Sequence, residues 1–305
     1  MSTLYRCLDK AATPEGNPVL EYGLKSLTNN RNPWRLCTVT QVEEVKLIIR
    51  ILPLWLTTIV YGLVLSQTLT FFVQQASTLD RTVGSLFTIP FASVLAFSYV
   101  AVLVMLPIYE WIIVPLSRWC TSSGHGLTLL QRLGIGLLLS VFTMIIAALV
   151  ERRRLDVAED YGLLDDPTTT IPMSVFWLVP QYILFGISDV FALVGQQEFF
   201  YDQVPDNMRS IGMALYLCGY GVGSYLSSAV ISLVEVITSA GGNSSWIVSN
   251  LNRCRLDYYY YLLAALSALN FGAFVALALS YTYKTVHVKR LQPYVSAHQS
   301  QLHPV

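Results

Sequence analysis

The fold is decided by stretches such as ILPLWLTTIVYGLVLSQTLTFFVQQASTL, residues 51–79, which contains no Asp, Glu, Lys or Arg. Five more uncharged stretches follow it, at residues 82–109, 133–150, 168–188, 210–234 and 258–283. A helix needs about 18–20 apolar residues to cross a bilayer. Backbone groups in lipid must be paired within a helix or a closed barrel, and these stretches are not short alternating strands. The sequence therefore predicts an all-α membrane protein with six transmembrane helices.

The composition agrees with this prediction. The chain is 54% hydrophobic and only 12% charged, with a mean hydropathy of +0.52, whereas a soluble domain carries about 25% charged residues. Its net charge is zero, so nothing indicates nucleic acid as a partner. The five cysteines form no Cys-x-x-Cys pair and the four histidines lie outside the uncharged stretches. With no catalytic motif in the sequence either, we predict neither an enzyme nor a metal site.

The distribution of basic residues predicts the orientation in the membrane. Six spans place both termini on one side, and thirteen of the nineteen Lys and Arg residues fall on that side. The positive-inside rule then places both termini in the cytoplasm. The cluster Arg152-Arg153-Arg154 stands against this assignment, because it falls on the opposite side.

Asp189 is the residue that most strongly indicates function. It follows the fourth uncharged stretch and precedes the uncharged residues Val190–Gly195, so the sequence places it inside the bilayer. An ionised carboxylate is costly there and needs a cavity or a partner. Asp189 is therefore a candidate for binding a proton or a substrate amine. The alternative is an acid that is hydrogen-bonded within the bundle for packing alone.

Two amides and three charged residues are weaker candidates. Gln67 and Gln74 are seven residues apart, so one continuous helix would place them on one face, either lining a cavity or bonding between helices. Glu198, near the end of the fourth helix, is a candidate for a gating or interfacial salt bridge, or for a plain solvated helix end. Arg50 and Glu110, at the edges of the first two stretches, are further candidates for gating or ion pairs.

Helix five contains Gly219, Gly221 and Gly223. Gly219 and Gly223 match the small-xxx-small pattern that lets two helices approach closely. We interpret this pair as a packing feature, with hinge flexibility as the alternative.

A series of longer motifs resembles a known family. They are WRLCTVTQVEEVK at 34–46, LPLW at 52–55, LDR at 79–81, LQRLGIG at 130–136, ERRRL at 151–155, FWLVPQY at 176–182, QEFFYDQVP at 197–205, LN at 251–252 and LDY at 256–258. In this order they resemble the plant nitrate/peptide transporters, in the proton-coupled oligopeptide transporter branch of the major facilitator superfamily. The resemblance covers about residues 34–284.

The resemblance implies a domain organisation. The family has twelve helices, and this chain looks like the last six, the C-terminal six-helix bundle. Residues 1–45 would be part of the cytoplasmic linker, residues 46–284 the bundle and residues 285–305 a polar cytoplasmic tail. The first six helices, which carry the family's Glu-x-x-Glu-Arg motif, would have to come from the same or another chain.

The resemblance also implies a site. Asp189 matches an acid of the family's tenth helix that is implicated in the central cavity, and Trp177 and Gln196 are weaker cavity candidates. The family's Pro-Ile-Tyr-Asp-Arg motif appears here as Pro107 to Trp111, with Glu110 present and the Arg lost. At Leu65 some nitrate-transporting relatives carry a His.

The resulting prediction is the C-terminal half of a proton-coupled transporter for nitrate, short peptides or other small metabolites. It would work by alternating access in the plasma or vacuolar membrane, with the proton as coupling ion and no cofactor. The alternative is a truncated, non-transporting membrane protein that acts as an assembly or regulatory partner of a full-length transporter.

Overall fold

The computed structural model describes residues 39–83, 87–121, 127–166, 169–239, 245–248 and 250–281. Most of the predicted linker and the whole predicted tail, 285–305, lie outside these residues. Six helices are long and apolar enough to cross a membrane, as the sequence predicts. We call them spans 1 to 6: Glu44–Thr78, Phe91–Trp119, Leu129–Asp160, Val175–Asp202, Arg209–Ser239 and Leu256–Ser280.

Span 1 is interrupted near its end. Its first helix, Val39–Leu69, begins before residue 46, where the sequence predicts the start of the bundle. A second helix, Phe71–Thr78, follows a turn at Thr70. The uncharged stretch 51–79 predicts one continuous helix here, whereas the structure has two. The Thr70 hydroxyl donates to the Ser66 carbonyl, a side-chain bond of the kind that bends helices.

Span 2 begins later and ends later than its uncharged stretch indicates. Thr82–Val83 (β2) pairs antiparallel with Phe87–Thr88 (β3), so the first residues of the stretch form strands rather than helix. The helix then runs through Phe91–Leu95 (3-10), Ala96–Ile108 (α), Tyr109–Ile113 (π) and Val114–Thr121 (α). The π turn lies between Pro107 and Pro115, and the helix continues past both.

Span 3 is a single helix, Leu129–Asp160, and begins with a capping box between Thr128 and Gln131. It passes well beyond Val150, where the uncharged stretch ends. Span 4 consists of a 3-10 turn, Val175–Leu178, and the helix Val179–Asp202. Before it, Ile171–Ser174 (β4) pairs parallel with Leu79–Asp80 (β1).

Span 5 is the helix Arg209–Ser239, after a 3-10 turn at Asp206–Met208, and span 6 is the helix Leu256–Ser280. Span 4 packs against spans 2, 3 and 5, while span 1 packs against spans 5 and 6 and span 3 against span 6. In the most apolar part of each span, half or more of the residues are buried in spans 1, 3 and 4. The buried share is only 11% in span 2 and 22% in spans 5 and 6. Spans 1, 3 and 4 therefore form the core of the bundle.

Consecutive spans run antiparallel, which gives the bundle two distinct ends. The ends of spans 1 and 3 meet the segment before span 6 around Arg154, which we call the Arg154 end. The start of span 3 meets the end of span 4 at Arg132, which we call the Arg132 end. Under the predicted orientation, the Arg132 end faces the cytoplasm.

Candidate functional site

Asp189 is held by a tyrosine from another span. The Tyr61 hydroxyl, on span 1, donates to Asp189 Oδ1 on span 4 at 2.5 Å. Tyr61 is only 1% exposed and its ring stacks on Phe185. Asp189 as a whole residue is partly exposed. A charge-assisted hydrogen bond of this kind stabilises an ionised carboxylate in a poorly solvated place.

A second hydroxyl lies beside this pair. Ser188 is fully buried and donates to the Gly136 carbonyl of span 3 at 2.8 Å. Its Oγ is also 3.4 Å from the Tyr61 hydroxyl oxygen. A Cβ at Gly136 would lie 2.4 Å from the Ala192 backbone nitrogen, so glycine is what lets spans 3 and 4 approach here. Spans 1, 3 and 4 therefore meet at Asp189.

Span 5 contributes the third side of the site. Tyr220 donates to the Gln196 Oε1 of span 4 at 2.7 Å, and the Tyr216 ring packs edge-on against Tyr220. Both tyrosines lie close enough to Asp189 to interact with it electrostatically. The structure therefore brings Gln196 and Asp189 into one neighbourhood, lined by aromatic hydroxyls.

The two amides of span 1 do not share a face. Gln67 is fully buried and its Nε2 donates to the Ser227 hydroxyl at 2.9 Å, joining spans 1 and 5. Gln74 is exposed and lines a separate cavity of about 260 Å³, which also contacts Asn250 and Asn252 near the Arg154 end. The expectation of a shared face fails because the turn at Thr70 changes the helical register between them.

Three other candidate residues lie away from Asp189. Trp177 is 54% exposed and lies in the 3-10 turn that precedes the helix of span 4. The Arg50 guanidinium lies over the Tyr281 ring at 5.1 Å, near the Arg132 end, and Glu110 is exposed on the π turn of span 2. Their predicted roles in binding or gating remain predictions.

Glu198 forms a salt bridge, with a partner that the sequence analysis did not assign. Arg132 Nη1 lies 2.9 Å from Glu198 Oε2, and Arg132 Nη2 donates to the Val190 carbonyl at 3.3 Å. The same guanidinium stacks over the Tyr109 ring at 4.2 Å. Arg132 is buried, whereas the Glu198 side chain is 46% exposed. The cluster joins spans 2, 3 and 4 within this one bundle.

A buried ion pair at the Arg154 end was also missed. Arg154 donates to both carboxylate oxygens of Glu151, at 2.6 and 2.8 Å, and both residues are 0% exposed. Arg154 also donates to Asn252 Oδ1 and to the Leu251 carbonyl, each at 2.9 Å, and Gln75 donates to Glu151 at 2.5 Å. Together these bonds tie spans 1 and 3 to the segment before span 6. The signal in the sequence was the spacing of three between Glu151 and Arg154, which puts them on one helix face.

Next to this ion pair, Cys254 is 1% exposed and its thiol donates to the Trp246 carbonyl. Burial raises the pKa of the Cys254 thiol to about 11, because the thiolate would lose its solvation. Asp80 shows the opposite effect at the same end. Its exposed carboxylate accepts bonds from the backbone and the hydroxyl of Thr82, and these hold its pKa below the ordinary value.

An apolar cavity of about 560 Å³ lies between spans 3 and 6, lined by residues such as Leu130, Leu138 and Phe271. It does not include Asp189 or its partners, and its lining offers no ionisable group. Among the described residues, no three His, Cys, Asp or Glu side chains are grouped as metal ligands. The polar groups around Asp189 therefore lie outside the apolar cavity.

The fold and site define an integral, multi-pass membrane protein with a six-helix bundle of the major facilitator type. A solved structure described as an auto-inhibited POT family peptide transporter matches it with a TM-score of 0.62. The match covers 81% of this chain and 43% of that one, at 20% identity, and so shows the fold alone. The sequence model of the POT family matches residues 11–247. This chain belongs to the POT family.

Curated relatives come from a plant. The Arabidopsis thaliana protein NRT1/PTR family 5.4 is 49% identical over 260 residues, which cover 85% of this chain and 47% of that protein. NRT1/PTR family 5.10 of the same plant is 48% identical over 248 residues, covering 81% of this chain and 44% of the relative. The chain thus spans about half the length of the curated relatives it matches.

Proposed function

We propose that this chain is the C-terminal half of a proton-coupled secondary transporter for a small polar metabolite. The observation that carries the proposal is Asp189, an acidic residue within a membrane span whose carboxyl group is hydrogen-bonded to Tyr61 of another span. Membership in the POT family supports it. In this role Asp189 takes up a proton from one side of the membrane and releases it to the other.

The second half of the transporter would supply the facing wall of the cavity. Spans 2, 5 and 6 are mostly unburied within this chain, which leaves their surfaces for lipid or for another bundle. Alternating access would then rock the two bundles against each other around a central site. Nitrate, short peptides and other small metabolites are the substrate classes we propose, in the plasma or vacuolar membrane, with both termini in the cytoplasm.

The test is uptake into proteoliposomes by the protein paired with a six-helix N-terminal half, using a dipeptide and nitrate as probes. We expect an inward proton gradient to drive accumulation of one probe. Asp189→Asn should lower that accumulation at least tenfold. The control is Asp160→Asn, which removes an exposed acid at the end of span 3. Normal proton-driven uptake by the Asp189→Asn protein would overturn the role of Asp189.

The same assay decides the alternative function, a non-transporting partner. If the chain transports neither probe with any N-terminal half, yet lowers uptake by a co-reconstituted full-length relative, the partner role is supported. Efficient proton-driven uptake by this chain alone would exclude it.

A further inference from the structure

We propose that Tyr61 is a positioning residue for Asp189, and that the hydrogen bond between them reverses direction when Asp189 takes up a proton. Ser188 is the acceptor that makes the reversal possible. The inference deepens the proposed function, because it rests on Asp189 exchanging a proton. It concerns only hydroxyl rotations in a chain of groups from spans 1, 3 and 4.

The starting arrangement follows from counting protons. Ionised Asp189 can only accept, and the Tyr61 hydroxyl supplies its single proton to Oδ1. The single hydroxyl proton of Ser188 goes to the Gly136 carbonyl. Between the oxygens of Tyr61 and Ser188, 3.4 Å apart, no proton is then left. In this state the contact between the two hydroxyls is not a hydrogen bond.

Protonation of Asp189 changes the hydrogen bonds that each group can form. The proton adds to Oδ1, the carboxylate oxygen that Tyr61 contacts, and Asp189 becomes a donor as well as an acceptor. The Tyr61 oxygen can then accept a hydrogen bond from protonated Asp189, provided that its own hydrogen rotates toward Ser188. Ser188 Oγ has a free lone pair to receive it, because its own proton stays on Gly136. Each hydroxyl keeps one acceptor, and no bond between heavy atoms forms or breaks.

The surroundings make this reversal valuable. Tyr61 and Ser188 are buried, so a hydroxyl left without a partner would carry a desolvation penalty. Without Ser188, Tyr61 could accept a hydrogen bond from Asp189 only by leaving its own hydroxyl hydrogen without an acceptor. With it, spans 1 and 4 stay joined in both protonation states.

Other ionisable groups face this region from neighbouring spans. Tyr216 and Tyr220 approach Asp189 from span 5. The guanidinium of Arg132 on span 3 reaches the Val190 carbonyl, but it is paired with Glu198. On span 2, Tyr109 packs against the Phe191 ring. None of these groups is hydrogen-bonded to Tyr61 or Ser188, so Asp189 is the ionisable group among them that contacts the Tyr61 hydroxyl.

The test is infrared difference spectroscopy of the purified protein in lipid nanodiscs, titrated with acid. The carbonyl stretch of a protonated carboxyl group, absent in Asp189→Asn, identifies the protonation of Asp189. We expect a tyrosine C–O band, absent in Tyr61→Phe, to shift from its donor position with the same midpoint. Asp189→Asn should abolish that shift. Ser188→Ala should reduce it at least twofold, because the new acceptor is gone.

The matched control is Tyr182→Phe. Tyr182 is a buried tyrosine of span 4 whose hydroxyl has no hydrogen-bond partner among the described residues. Removing it should leave both bands in place. A tyrosine band that stays fixed while Asp189 titrates would overturn the proposal, as would an Asp189 that never changes its protonation state. The spectra need no substrate, so failed uptake with an intact band shift would refute the transport proposal alone.

Discussion

At the scale of single residues, the buried pair of Glu151 and Arg154 connects spans 1 and 3 to the segment before span 6. Removing one member of a buried ion pair leaves a charge without compensation, which costs about 3–5 kcal/mol. We expect Arg154→Met to lower the melting temperature of the protein in nanodiscs markedly. Arg153→Met, which removes an exposed neighbour, is the control and should melt like the wild type. Equal melting temperatures of the two variants would show that the Glu151–Arg154 pair does not stabilise the protein.

Cys254 gives a residue-scale prediction in terms of pH. Because its thiol pKa is raised to about 11, the reactive thiolate is scarce at neutral pH and accumulates only as the pH approaches that value. A protein with Cys254 as its single cysteine should therefore react with iodoacetamide slowly at pH 8, and half-maximally near pH 11. The denatured protein is the control, and should react with a midpoint near the ordinary value of about 8.5. An ordinary midpoint in the folded protein would refute the prediction.

The residues also show where sequence reasoning succeeds and where it stops. Asp189 could be found because an acid within a long uncharged run is conspicuous. The partners could not be predicted, because each contact joins different spans. Tyr61 is the partner of Asp189, and Arg132 is the partner of Glu198. Such contacts depend on how helices pack and rotate, which one sequence does not specify.

At the scale of elements, glycines set the distance between spans 1 and 5. A Cβ at Gly223 would lie 2.7 Å from Gly62 backbone atoms and from the Ile59 carbonyl oxygen. The packing interpretation of Gly219 and Gly223 is confirmed, since a Cβ at Gly219 would meet Thr58 at 3.0 Å. Gly223→Ala should cost about 1–3 kcal/mol through overpacking.

The chain provides its own control for this change. A Cβ at Gly221 meets nothing within 4 Å, so Gly221→Ala should preserve the melting temperature. Thermal unfolding in nanodiscs measures both variants. A Gly223→Ala protein as stable as Gly221→Ala would mean that the two spans separate at little cost.

The Arg132–Glu198 bridge is an element-scale brace within one bundle. Glu198→Gln leaves the guanidinium of Arg132 buried without its counter-charge, which should destabilise the protein. Adding Arg132→Met removes that charge, so the double variant should melt higher than Glu198→Gln alone. Differential scanning fluorimetry of the variants checks the order. If Glu198→Gln melts normally but changes uptake, the gating role predicted for Glu198 gains support instead.

Element boundaries were predicted well only where chemistry changes at the boundary. Span 5 begins at Arg209, one residue before its uncharged stretch, because a loop with Pro205 precedes it. Span 3 continues to Asp160 through charged residues, because Glu151 and Arg154 neutralise each other inside the bundle. Span 2 loses its first residues to the β2–β3 hairpin, whose uncharged composition resembles that of a helix in lipid. Hydropathy alone cannot separate these cases.

At the scale of the whole molecule, the distribution of burial suggests that the bundle is one part of an assembly. Span 5 combines low burial with exposed small and polar residues, among them Gly221, Ser224 and Ser228. Small polar residues favour helix association in lipid over contact with acyl chains. We therefore expect this face to pack against a second six-helix bundle.

Co-expression tests this expectation. The chain should be degraded more slowly, and co-purify, when an N-terminal six-helix half of a POT family relative is produced with it. Ser224→Trp, on the exposed face of span 5, should abolish co-purification because the large ring prevents close helix contact. Leu149→Trp is the matched control, since Leu149 is 53% exposed on span 3, away from the proposed contact. Loss of co-purification in both variants, or in neither, would place the contact elsewhere. A chain that is degraded equally fast with and without the second half would show that its exposed faces are stable in contact with lipid.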